Sequence, residues 1–155
     1  MWLENDWDKR SKSDDFLIFP YFFSFDHWSL RLQAAELVAF TAKTYGNTYT
    51  TLLPRVTKTL AKALSYDPAI NEIKPFSTHF GAIVALTLLG TNVIDSVLMP
   101  MLENYLNFMA DEGNAEILGS EEEKGKVLAA LENAINQWKE QHDSTSYNSI
   151  INKHF

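Results

Sequence analysis

Groups able to do chemistry are few in this chain, and they stand apart. Histidines occur singly at positions 27, 79, 142 and 154. No His-Glu-x-x-His or His-x-His spacing brings imidazoles together on one metal ion, and a closed metal site needs three or four converging ligands. His27 and His79 fall near the starts of helices, where a structural or capping role is expected. The longest run of adjacent carboxylates, Glu121-Glu122-Glu123, follows Ser120 in the pattern of a capping box. In a first helical turn these charges complement the helix dipole, so the run reads as structural rather than as an acid–base pair. The glycines form no phosphate-binding loop, and neither Gly-x-Ser-x-Gly nor Ser-x-x-Lys occurs. The absence of cysteine removes thiol nucleophiles, zinc fingers, iron–sulfur ligation and disulfides together. A non-catalytic protein without cofactor or metal is the expectation.

One charged cluster could instead recognise a partner. Arg55, Lys58 and Lys62 recur at i, i+3, i+7 and form a basic stripe along one helix, expected opposite its apolar face. Such a stripe is either a solvated face or a docking site for an acidic peptide. Three charges supply only a modest, salt-sensitive attraction to phosphates, and direct nucleic-acid binding is not expected.

The elements that would position these residues are helices. Asp26 can cap a helix in which Trp28, Leu32, Ala35, Val38, Ala39, Ala42 and Tyr45 share a face, with Gly46 as a left-handed terminator. Leu30, Ala34, Leu37 and Phe40 add a second stripe, which predicts a helix covered on more than one side. Tyr49, Leu52, Leu53, Val56, Leu60, Ala63 and Leu64 form the next amphipathic face, which Pro54 should kink or start afresh. The segment from Ser65 to Lys74 reads as a loop. Pro75 opens a third helix through Phe76, Phe80, Ile83, Leu86 and Leu89 to Gly90. A fourth carries Val93 to Met109, and a fifth, from Ser120, presents Val127, Leu131, Ile135 and Trp138.

Helices one and two repeat as helices three and four at an offset of 46 residues: Leu37-Val38-Ala39 maps onto Ile83-Val84-Ala85, Leu52-Leu53-Pro54 onto Leu98-Met99-Pro100, and Leu60 onto Leu106. This is the period of HEAT and armadillo repeats, whose helix pairs bury their faces by stacking on neighbours. The expected fold is all-α, a short HEAT-repeat solenoid of antiparallel helix pairs with about five to six helices. Two repeats would cover residues 26–64 and 75–110. Residues 1–25 form an aromatic and acidic segment, expected to cap the first pair through Phe16, Phe19, Phe22 and Phe23. Residues 111–155 read as an acidic linker, a capping helix at about 121–142 and a polar tail.

Composition agrees with this outline. A chain of 155 residues that is 46% apolar can build one core, and six Gly with five Pro leave little turn material for many strands. The apolar run at residues 16–25 is too short to span a bilayer, which takes roughly 20 residues, and its acidic flank argues against a secretory signal. The formal charge of -7 sits in the flanks, because residues 26–110 carry six acids and six bases.

Three motifs carry a resemblance to a known family. Asp26-His-Trp-Ser-Leu-Arg31, Pro54-Arg-Val-Thr-Lys-Thr59 and Thr78-His-Phe-Gly-Ala-Ile83, followed by Leu89-Gly90 and Pro100, resemble the C-terminal HEAT-repeat domain of subunit 6 of the transcription factor TFIID, over roughly residues 26 to 109. His27, Trp28, Arg31, Pro54, Gly81, Gly90 and Pro100 are its structural motif residues here. The resemblance implies a nuclear scaffold of TFIID or a SAGA-type coactivator that supports pre-initiation by RNA polymerase II, with other subunits of those complexes as partners. In the family an N-terminal histone fold pairs with TFIID subunit 9; no segment here resembles one, so that pairing is not carried over. The alternative is a general HEAT adaptor in cytoplasmic assembly or transport.

Overall fold

The computed structural model describes residues 26–65 and 72–142. The expected aromatic cap at 1–25, part of the 65–74 loop and the polar tail lie outside the described residues. By backbone proximity the chain divides into two compact units, Met1–Leu30 and Arg31–Phe155. Of the first, the described residues are Asp26 and the opening of helix α1. There Asp26 accepts from the Trp28 backbone N–H at 3.1 Å and from the Ser29 hydroxyl at 2.8 Å. These bonds, the Ser29 one foremost, hold its carboxyl below the usual range, as expected for an N-cap.

All described elements are helical: α1 His27–Tyr45, α2 Leu52–Leu64, α3 Phe76–Leu89, α4 Thr91–Val93, α5 Met99–Ala110, α6 Glu112–Leu118 and α7 Glu121–Lys139, with a π-helical turn Ile94–Leu98 joining α4 to α5. The 46-residue offset carries α2 onto 98–110, which is α5 to within one residue. At the two matched prolines the chain solves one problem in two ways. Proline lacks an N–H, and its ring collides with the carbonyl four residues back in a regular helix. Ahead of Pro54 the helix breaks off into the turn at 46–51 and restarts at Leu52. Ahead of Pro100 the helix continues but widens, with the Met99 N–H reaching the Ile94 carbonyl five residues back.

Gly46 does not act as the expected left-handed terminator, because its φ is not positive. The chain leaves α1 through turns in which the Thr48 and Tyr49 N–H groups both donate to the Tyr45 carbonyl. Glycine is needed there for a different reason: a Cβ would stand 2.5 Å from the Ala42 carbonyl oxygen. Gly90 does terminate α3, at φ 115° and ψ 170°, a region that side-chain-bearing residues rarely enter. The stretch read as an acidic linker holds α6, whose N-cap Asp111 accepts from the Gly113 N–H at 2.9 Å and whose Leu118 is fully buried. About two turns with three apolar residues, Ala115, Ile117 and Leu118, are too short for a periodicity to reveal them.

The core lies in the second unit, around α3. Ile83 and Leu86 are fully buried among Leu98, Leu102, Leu106, Leu131 and Ile135, and α7 lies along α3 more extensively than any other described pair of helices. Polar ties add to this packing: Trp138 Nε1 donates to Asp95 Oδ1 at 3.0 Å, and Gln137 Nε2 to the Thr87 carbonyl at 3.3 Å. The first hairpin is thinner. Its seam is Ala39 and Ala42 with Leu89, against which Leu53, Val56, Leu60 and Val93 pack. Among the described residues α1 is covered on one side: Ala35, Ala39 and Ala42 are buried, while Leu37 and Phe40 are each 65% exposed. Their partners at the 46-residue offset, Ile83 and Leu86, are 0% exposed. Helix α3 has neighbours on both sides, whereas the second apolar stripe of α1 meets none among the described residues.

Candidate functional site

The basic stripe lies on α2, and all three of its side chains are exposed. Arg55 borders the apolar face of α2, whereas Lys58 is turned away from it, about 160° from Val56 on a helical wheel. Arg55 lines an open groove of about 480 Å³ together with Val38 of α1 and Leu52, Val56, Thr59 and Leu60 of α2. On a helical wheel Arg55 and Val56 are neighbours 100° apart with Thr59 between them, so the Arg55 charge borders the apolar floor. Among the described residues no ion pair includes Arg55, Lys58 or Lys62, whereas Lys74, Lys124 and Lys126 are each paired with a glutamate.

The groups with catalytic potential are accounted for structurally. His79 is 2% exposed, and its Nδ1 meets the Tyr105 hydroxyl at 2.9 Å, between Phe76 and Phe108. Burial pushes the imidazole down to about 4 and the Tyr105 phenol upward. His79 is therefore neutral near pH 7 and belongs to the core rather than to a site. His27 packs against the Trp28 ring at 4.8 Å, and His142 stacks on Trp138 at 4.6 Å. His154 lies outside the described residues. Ser120 and Glu123 form the expected capping box, with the Ser120 N–H donating to Glu123 Oε2 at 2.9 Å. Lys126 bonds Glu122 at 2.8 Å and holds its carboxyl low. Among the described residues no three His, Asp or Glu side chains gather as a metal site would require, and no helix is long and apolar enough to cross a membrane.

The motif residues are dispersed. Trp28 and Arg31 are half-buried on α1, Pro54 and Pro100 open their helices, and Gly90 closes α3. A methyl at Gly81 would meet open space, so packing does not explain the glycine there. The groove was missed in the sequence because it depends on how far α1 stands from α2. Pairing Val38 with Leu52 and Val56 across the hairpin was the signal available, and it requires knowing which side of α1 turns inward.

Helix pairs repeated at a fixed offset, each burying an apolar seam, with exposed chemistry along a groove, define a HEAT-repeat domain. A family model for the TAF6 C-terminal HEAT repeat domain matches residues 6–103, and the chain belongs to that family. The match begins ahead of Asp26 and so takes in most of the aromatic segment, further toward the N-terminus than the motifs indicated. The chain is 43% identical over 94 residues to transcription initiation factor TFIID subunit 6 of Arabidopsis thaliana, covering 61% of this chain and 16% of that protein. It is 34% identical over 113 residues to the SAGA complex/transcription factor TFIID complex subunit Taf6 of Schizosaccharomyces pombe, covering 71% of this chain and 23% of that protein. To the mouse TAF6-like RNA polymerase II p300/CBP-associated factor-associated factor 65 kDa subunit 6L it is 32% identical over 117 residues, covering 71% and 18%. The chain thus spans less than a quarter of the length of each of these curated relatives. No solved structure matches it.

Proposed function

We propose that this chain is a non-catalytic scaffold of the RNA polymerase II general transcription machinery. It would serve in the nucleus as a subunit, or the HEAT-repeat part of a subunit, of TFIID or a SAGA-type coactivator, and would hold other subunits during pre-initiation complex assembly. The family match over residues 6–103 carries this reading, and the names of the Arabidopsis and fission-yeast relatives supply the two complexes. The working units are the repeats at 26–64 and 75–110, with α7 closing one end of the stack. The Arg55, Lys58, Lys62 stripe is the proposed partner contact. Direct nucleic-acid binding and histone-fold pairing are not part of the reading.

Purification of the tagged chain from nuclear extract, with identification of what accompanies it, tests the proposal. TFIID or SAGA subunits in stoichiometric amounts are the expected result. A cytoplasmic pool bound to unrelated assemblies would overturn it and favour a general adaptor.

A further inference from the structure

The groove between α1 and α2 has a definite chemical character. Val38, Leu52, Val56 and Leu60 give it an apolar floor. The Thr59 hydroxyl is already engaged with the Arg55 carbonyl at 2.9 Å. Arg55 supplies the charge in the lining, and Lys62, about 10 Å or two helical turns further on, continues it along α2, with Lys58 further round the helix. Neither helix offsets this edge: α2 contains no acid, and the single acid of α1, Glu36, is two residues from Val38 and points to the other side of its helix.

We infer that this groove seats an amphipathic helix of a partner protein, with apolar residues at i, i+3 or i+4, and i+7 laid on the floor and acidic residues along the α2 edge. Two adjacent helices present a furrow that accepts the side-chain ridge of a third, and anchors at that spacing are how helices dock in grooves. Acids on the partner two turns apart match Arg55 and Lys62 in register. The charge sets orientation and the rate of encounter, while the apolar floor holds the complex. This assignment rests on the reading of the domain as a docking module and names the chemistry of what docks.

The test uses the whole purified chain and fluorescein-labelled helical peptides of about 18 residues, five turns. One has a leucine stripe flanked by glutamates, a second has the same stripe flanked by lysines, and a third has the glutamates with the stripe scrambled. Anisotropy should show the first binding about tenfold or more tightly than the other two, with the preference shrinking as salt rises. In Arg55→Glu/Lys58→Glu/Lys62→Glu, whose substitutions are all exposed, the preference should invert toward the lysine-flanked peptide. Val38→Asp should weaken the first peptide several-fold with the helical circular dichroism unchanged. Equal binding of the three peptides, or a preference untouched by charge reversal, overturns the inference. So does concentration-dependent self-association abolished by Val38→Asp, because the occupant is then a second copy. These outcomes are independent of co-purification, so the docking chemistry and the membership in a transcription complex fail separately.

Discussion

The Tyr105 hydroxyl lies 2.9 Å from His79 Nδ1, and both side chains are at most 3% exposed. This pair joins α3 to α5 across 26 residues of sequence at the one place, among the described residues, where the apolar core holds a buried imidazole. With the imidazole neutral, the Tyr105 O–H can donate to Nδ1 in the tautomer that carries its ring proton on Nε2. Tyr105→Phe removes the donor and leaves the imidazole nitrogen buried without it, at a cost of about 1–3 kcal/mol. Urea denaturation measures the loss. A change within experimental error would mean that water reaches His79.

The same pair makes stability depend on pH. In the unfolded chain the His79 imidazole takes up a proton near its ordinary value of 6.5, whereas in the native chain it resists until about 4. Between those values the unfolded chain binds more protons, so stability falls as pH drops from 6.5 toward 4, by about 3 kcal/mol in all. The ring proton signals of His79 in an NMR titration should stay at their neutral positions down to about pH 4.5. Titration near 6.5 would contradict the burial.

The repeat register predicts unequal costs at its two matched leucines. Leu106 is 6% exposed within the main cluster, and Leu106→Ala should cost about 2–5 kcal/mol. Leu60 is half-buried where the two clusters meet, so Leu60→Ala should cost less, about 1–2 kcal/mol. Equal losses by chemical denaturation would place both leucines at the same depth, as a strict repeat demands.

The offset of 46 residues is legible in the sequence because identical side-chain types recur at identical helical positions, and it finds the second helices of both pairs. The depth of burial does not repeat, and no pattern in α1 foretells this. Leu37 and Ile83 are equivalent as letters, yet α7 and the main core bury one while the other faces outward. The capping box at Ser120 was readable because both bonds are local. The His79–Tyr105 pair was not, since it depends on the packing of two helices. The groove was half-readable: periodicity reveals the stripe on α2, but only the placement of α1 shows that Arg55 edges an apolar floor.

Two glycines in one helical motif should respond in opposite directions. Gly90→Ala forces a side chain into the backbone at φ 115°, ψ 170° and should cost about 1–3 kcal/mol. Gly81 lies inside α3 with open space where a methyl would go, so Gly81→Ala should stabilise by about 0.5–1 kcal/mol through helix propensity. Thermal melts of the two variants read both signs. If Gly81→Ala stabilises the chain yet weakens co-purification, that open space belongs to a partner.

The last prediction concerns the uncovered stripe of α1. With Leu37 and Phe40 each 65% exposed, Leu37→Ala and Phe40→Ala should each change the stability of the isolated chain by no more than about 0.5 kcal/mol, the usual range for surface sites. Ile83→Ala and Leu86→Ala, at the equivalent positions of α3, should each cost about 2–5 kcal/mol. The comparison is internal, because matched positions differ mainly in what covers them. A cost at Leu37 approaching that at Ile83 would mean that the stripe is covered in the isolated chain. A small cost together with reduced aggregation would fit two large apolar side chains standing in water, since exposed apolar surface of this kind promotes association.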